Sequence, residues 1–166
     1  MFTIRKATAD DSSLIRELAS HVWSNTYAKI LSKEQLDYMF EMMYSNDNIL
    51  KQMNELHHQF FIISVDNEPA GYLSVETKSP DLFNFQKIYS LPQWHGSGIG
   101  RYIIEQGIAW IKSFHPEPFT VELYVNRYNP AVGFYKHMGF KEVATRDHAI
   151  GNGYFMNDYI MELPVE

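Results

Sequence analysis

Hydrophobic positions change period along the 166-residue chain, and the changes mark its elements. Phe2 to Arg5 reads as a short opening strand. Asp10 or Asp11 is then placed to cap a helix in which Leu14, Ile15, Leu18 and Val22 recur on one face. Ser32-Lys33-Glu34-Gln35 predicts a second helix opened by a capping box, because a Gln three residues after a capping Ser can reach back to its amide. Leu36, Met39, Phe40 and Met43 form the apolar stripe of that helix, and a third runs roughly from Asp47 to Leu56.

The period then shortens to that of strands. Phe60 to Val65 and Ala70 to Thr77 read as strands joined at Asp66-Asn67-Glu68-Pro69, which is rich in turn formers. A further strand over Phe83 to Leu91 ends at Pro92. After a glycine-rich stretch, Ile99, Ile103, Gln106, Trp110 and Phe114 mark one flank of a long helix, with Ile104, Ile108 and Ile111 beside it. Pro116 and Pro118 stop that helix. A strand over Phe119 to Val125, a short helix over Pro130 to Met138, and strands over Phe140 to Arg146 and Tyr154 to Leu163 complete the chain. Gly151-Asn152-Gly153 joins the last two. This order predicts a mixed α/β (α+β) fold in a single domain over residues 1–166, with one sheet covered by helices.

Composition narrows the function. Formal net charge is -6, from 20 acidic and 14 basic residues, with no dense Lys/Arg run to neutralise a phosphate backbone, so no nucleic-acid partner is expected. The acidic balance favours a cationic small molecule. The absence of cysteine excludes disulfides, thiolate catalysis and cysteine-ligated zinc. The 7 histidines make no HExxH pattern, no metal is expected, and adjacent His57 and His58 read as ordinary surface or core residues. No apolar run approaches the roughly 20 residues that cross a bilayer, and the start MFTIRKATADD is too polar for a signal peptide. A cytoplasmic setting without a membrane partner is the expectation, and a homodimer is left open.

One stretch carries chemistry by itself. A strand ending Lys87-Ile88-Tyr89-Ser90-Leu91 runs through Gln93-Trp94-His95-Gly96-Ser97-Gly98-Ile99-Gly100-Arg101 into a helix. The first amides of a helix lack internal partners, and glycines let the backbone curl closely round an anion. The spacing is neither GxxxxGK[ST] nor GxGxxG. Read alone, it is an anion site at a helix entrance or a plain turn.

Gln93 to Gly98 resembles the Q/R-x-x-G-x-G/A element of the GNAT superfamily of N-acetyltransferases. Asn129, Ala131, Phe134-Tyr135 and Gly139-Phe140 are similar to its second recurrent pattern, with the alanine one residue early. The resemblance spans nearly the whole chain, and the local pattern is most similar to bacterial small-molecule acetyltransferases, the polyamine-acetylating kind included. It implies a central, mostly antiparallel sheet that splays between strands 4 and 5, flanked by helices. It further implies acetyl-coenzyme A as acyl donor, with its pyrophosphate on the turn, its pantetheine arm in the splay, and no metal. The residues this assigns to the donor are Leu91, Gln93, Trp94, His95, Gly96, Ser97, Gly98, Ile99, Gly100, Arg101 and Asn129.

Tyr135 matches the superfamily's general acid, beside the departing sulfur. The implied reaction is direct attack by a primary amine, of a small molecule, in a ternary complex. Glu76 and Glu122 are alternative general bases, Glu122 also standing on the substrate side, in line with Tyr124 and Asn126. Trp23 and Tyr27 fit one wall of the acceptor pocket, and Tyr154 and Tyr159 are further aromatic candidates for the same cleft. Two other readings stay open: protein or peptide N-terminal acetylation, and a non-catalytic coenzyme A-binding regulatory domain.

Overall fold

The computed structural model describes residues 1–166. Its elements run β1 (Phe2–Lys6), α1 (Ser12–Tyr27), α2 (Lys33–Tyr44), α3 (Asn46–Asn54), β2 (Gln59–Val65), β3 (Glu68–Ser79), β4 (Leu82–Ser90), α4 (Ile99–Lys112), β5 (Phe119–Asn126), α5 (Ala131–His137), β6 (Lys141–Gly151) and β7 (Tyr154–Val165). The expected fold class holds: one seven-stranded sheet, ordered β1-β2-β3-β4-β5-β7-β6 and antiparallel at every junction except β4–β5, with helices on both faces.

Local chemistry explains most boundaries. Asp66 and Asn67 hold φ values of 50° and 71°, the left-handed pair that matches the twist of a tight hairpin between β2 and β3. Gly139, at φ 106°, follows α5 and turns the chain into β6. Two expected caps differ. The Asp11 carboxylate accepts from the Thr8 amide at 2.9 Å and from Arg5 at 2.8 Å, closing a short 3-10 turn ahead of α1 and leaving the first amides of α1 uncapped by a side chain. Ser32 accepts the Gln35 amide at 3.2 Å, but the Gln35 side chain donates to the Phe155 carbonyl at 3.0 Å. A tertiary acceptor has displaced the reciprocal half of that capping box.

The sheet separates two cores. On one face, α4 and α5 bury Ile99, Ile103, Ile104 and Ile111 against Leu73, Val75, Phe85 and Leu123. On the other, α1–α3 cover Phe60, Ile62 and Tyr72 with Ile15, Leu18, Val22 and Trp23. Full burial of each Ile or Leu stabilises by roughly 1.5–3 kcal/mol. The buried stripe of α4 is rotated from the expected flank, because Gly107 sits at its centre. A Cβ there would lie 2.7 Å from Phe85 Cζ, so the glycine sets how closely α4 approaches the sheet, and Phe114 falls outside at 53% exposed.

Strands β4 and β5 pair in parallel for only three steps, Leu82↔Thr120, Phe83↔Val121 and Asn84↔Glu122. Beyond them β4 stays with β3, and β5 with β7. The sheet therefore splays between strands 4 and 5, as expected.

Candidate active site

The turn after β4 offers backbone donors in an open setting. Its amides at His95 and Ser97 are used internally, by the Pro92 and Trp94 carbonyls. Those of Gly96, Gly98, Ile99, Gly100 and Arg101 have no acceptor in the protein. Gly96 and Gly98 adopt φ 82° and 91°, where L side chains are strained, and a Cβ on either would meet nothing within 4 Å. That geometry suits a bulky anion held by backbone N–H groups at the α4 N-terminus, so the residues fit a phosphate-bearing donor.

Not every residue of the turn has the same role. Gly100 packs under Phe134, where a Cβ would stand 2.9 Å from Cζ, and this ties α4 to α5. The Ile99 side chain is in the core, leaving its amide free to act. Arg101 stands beside Glu105 at 3.7 Å with its side chain 54% exposed. The His95 ring lies 3.2 Å from the Ser90 carbonyl and Ser97 Oγ donates to the Trp94 carbonyl at 2.5 Å, both bracing the curl. Leu91 and Trp94 are half-buried, and Gln93 is exposed at the edge.

On the other side of the splay, Asn129 is buried and its Oδ1 accepts the Ala131 amide at 2.9 Å, fixing the entry to α5. Tyr135 is 8% exposed and packs against Phe134 and Phe140. Burial, reinforced by neighbouring Tyr27, raises its pKa, so the phenol stays protonated and able to donate across the neutral range.

The face opposite α4 carries a cavity of about 640 Å³ between α1–α3 and the splayed strands. Trp23 and Tyr27 form part of its wall. The Tyr27 and Tyr89 hydroxyls share a 3.1 Å hydrogen bond that ties α1 to β4, and Trp23 Nε1 donates to the Tyr44 hydroxyl at 3.0 Å. Tyr154 and Tyr159 are not among the lining residues; Tyr154 packs on Tyr38 and Tyr159 on the α4-side core.

Alternation along β3 sends Tyr72, Ser74, Glu76 and Lys78 to the cavity face, away from Leu73 and Val75. Glu76 lines the cavity and is held by His58 Nε2 at 2.8 Å and Gln86 Nε2 at 3.2 Å. Burial and nearby Lys87 lower the His58 pKa against the opposing pull of Glu76. His58 is therefore neutral at pH 7, with Nε2–H donating to the carboxylate. Glu122 lies behind the cavity wall, accepting from Asn84 Nδ2 at 2.6 Å and Lys78 Nζ at 3.0 Å. Burial alone would raise its pKa, but these two donors outweigh burial and lower it. A carboxylate so fully engaged is poorly disposed to take a proton, whereas Glu76 borders open space.

Several lining residues escaped the sequence reading. His58 read as an ordinary histidine, and Lys87, Gln86, Tyr89, Arg146 and Asp158 had no assigned role there. Their signal is weak in the sequence because their partners are remote: Lys87 Nζ donates to Gln52 Oε1 at 2.5 Å, across 35 residues. No cluster of three or more His, Asp or Glu is arranged to hold a metal ion.

Comparison with known proteins bears on the same region. Residues 56–142 match the Acetyltransferase (GNAT) domain family. A spermidine N(1)-acetyltransferase of Thermoplasma acidophilum is 25% identical over 169 residues, covering 98% of this chain and 97% of that protein. An N-alpha-acetyltransferase of Sulfurisphaera tokodaii is 27% identical over 128 residues, 70% of this chain and 75% of that protein. Among solved structures, the PaiA N-acetyltransferase of T. acidophilum in complex with coenzyme A superposes with a TM-score of 0.79 at 23% identity, over 98% of both chains.

Proposed function

Because the chain belongs to the GNAT acetyltransferase family, we propose that it moves an acetyl group from acetyl-coenzyme A to a primary amine of a small molecule. The observation that carries this is continuity. Five unpartnered amides stand at the start of α4 on one face of the sheet, the cavity stands on the other, and the splay beyond Asn84↔Glu122 opens between β4 and β5, which both line that cavity. A donor held by its phosphates at the turn reaches an acceptor held in the cavity only through that gap.

The chemistry follows from the groups along the path. The amine nitrogen, freed of one proton, attacks the thioester carbonyl carbon; the C–N bond forms and the C–S bond breaks. Glu76, directly or through a water, takes the amine proton, with His58 and Gln86 holding its carboxylate in place. The leaving thiolate takes a proton from Tyr135. Alignment in a preformed cleft supplies much of the rate, since oriented reactants avoid several kcal/mol of entropic cost. With no cysteine in the chain, direct transfer in a ternary complex is the simplest route.

Thiol release from acetyl-coenzyme A, screened against polyamines, amino acids, aminoglycosides and short peptides, tests the proposal. Intersecting initial-velocity patterns with a small amine are expected; parallel patterns would point to an acetylated enzyme instead. The likeness to an N-alpha-acetyltransferase supports the competing reading, a peptide N-terminus as acceptor. Faster acetylation of short peptides than of any free amine would establish it.

A further inference from the structure

Charge in the acceptor cavity runs against that of the chain. Formal net charge is -6, yet the cavity is lined by Lys51, Lys78, Lys87 and Arg146 against Glu76 and Asp158. Pairing sorts these groups. Asp158 is engaged by Arg146 at 3.1 Å, and Lys78 by Glu122 at 3.0 Å. Glu76 already accepts from His58 and Gln86. Lys51 and Lys87 have no carboxylate partner.

Lys87 is the telling one. It is 7% exposed, its single hydrogen bond goes to the neutral side chain of Gln52, and its ammonium otherwise faces the rings of Tyr44 at 5.7 Å and Phe60 at 5.3 Å. Glu76 attracts it only from beyond contact distance; a buried ammonium with no carboxylate in contact is costly, and here it borders a cavity large enough to admit one. Burial lowers its pKa to about 8, which still leaves it mostly charged at neutral pH.

We propose that the acceptor amine also carries a carboxylate, as an amino acid does, and that Lys87 is the group that binds it. This rests on the acetyl-transfer reading of the same cavity. An amino carboxylate complements what is present: its ammonium faces Glu76, its carboxylate supplies the counter-ion Lys87 lacks, and Lys51 at the rim adds attraction. A polyamine would instead bring further cations beside Lys87, with Glu76 alone to face them, since Asp158 and Glu122 are held by Arg146 and Lys78.

The test is steady-state thiol release from acetyl-coenzyme A with matched acceptors: α- and ω-amino acids, their methyl esters, and spermidine. At least one amino acid is expected to exceed its own ester by about tenfold or more in kcat/KM. Lys87→Met is expected to raise KM for that acid by about tenfold or more while changing KM for acetyl-coenzyme A less than about twofold, and Lys87→Arg to keep part of the preference. The wild-type ranking decides the matter even if a variant folds poorly. Preference for spermidine or the esters over every amino acid overturns the carboxylate assignment and leaves acetyl transfer to amines standing. Binding of coenzyme A with no thiol release to any amine overturns both.

Discussion

Strict alternation from Phe83 and Phe85 would carry the Lys87 ammonium into the apolar core beneath α4, and a bulge prevents this. Ser74 pairs with Lys87 and Val75 with Phe85, so Gln86 is an extra residue that turns Lys87 and Tyr89 to the cavity face. Burial then holds the Lys87 pKa near 8, below its ordinary value of 10.5. The unfolded chain keeps that proton to higher pH, so this group makes stability rise between about pH 8 and 10.5 and costs most below pH 8. Lys87→Met is therefore expected to stabilise the free protein by about 1–3 kcal/mol at pH 7, with the gain shrinking as pH approaches 10. Thermal melts of both proteins across that range check it; a destabilised variant at pH 7 would mean that the bond to Gln52 outweighs the buried charge. None of this was legible in the sequence, where neither the bulge nor the distant partners of Lys87 and His58 leave a local trace. Tyr135 stood out as a candidate in the sequence, because Phe134-Tyr135 and Gly139-Phe140 lie within one short motif.

Elements were read well where period and turn chemistry agreed, as in the β2–β3 hairpin, and less well where a glycine carried packing. Gly107 and Gly133 both lie inside helices, yet their surroundings differ. A Cβ at Gly107 would press on Phe85 and on Leu73 Cδ2 at 3.1 Å, while one at Gly133 would meet nothing. Gly107→Ala is expected to cost about 1–3 kcal/mol in spite of better helix propensity, since overpacking moves α4 off the sheet. Gly133→Ala, with no such contact, is expected to gain about 0.5–1 kcal/mol. Denaturant unfolding of the two variants separates these signs; equal effects would show that propensity alone decides. The same blindness rotated the expected stripe of α4, since apolar periodicity gives glycine no weight.

Across the whole molecule, the two ends of the cleft differ in how they could be read. The family match ends at residue 142 and begins at 56, so it includes the donor turn and the splay but not α1–α3. Those helices supply Trp23, Tyr27, Tyr44 and Gln52 to the cavity, and the last two strands supply Arg146 and Asp158. The proposed donor turn lies in one contiguous motif, whereas the cavity wall gathers from eight elements and is visible only once folded. Net charge misled for the same reason: acidic groups spread over the surface say little about a cavity whose free cations are Lys51 and Lys87.

In the reaction proposed for this cleft, an acetyl group crosses the splay to an amine nitrogen with Tyr135 serving the leaving sulfur. Its most direct measurement is single-turnover transfer from isotopically labelled acetyl-coenzyme A, following label on the amine by mass spectrometry for wild type and Tyr135→Phe. Label on the amine nitrogen is expected, with a rate about 100-fold or more lower in the variant and coenzyme A affinity changed little. Equal rates would remove Tyr135 from the chemistry, and no labelled amine from any acceptor would rule out acetyl transfer by this protein.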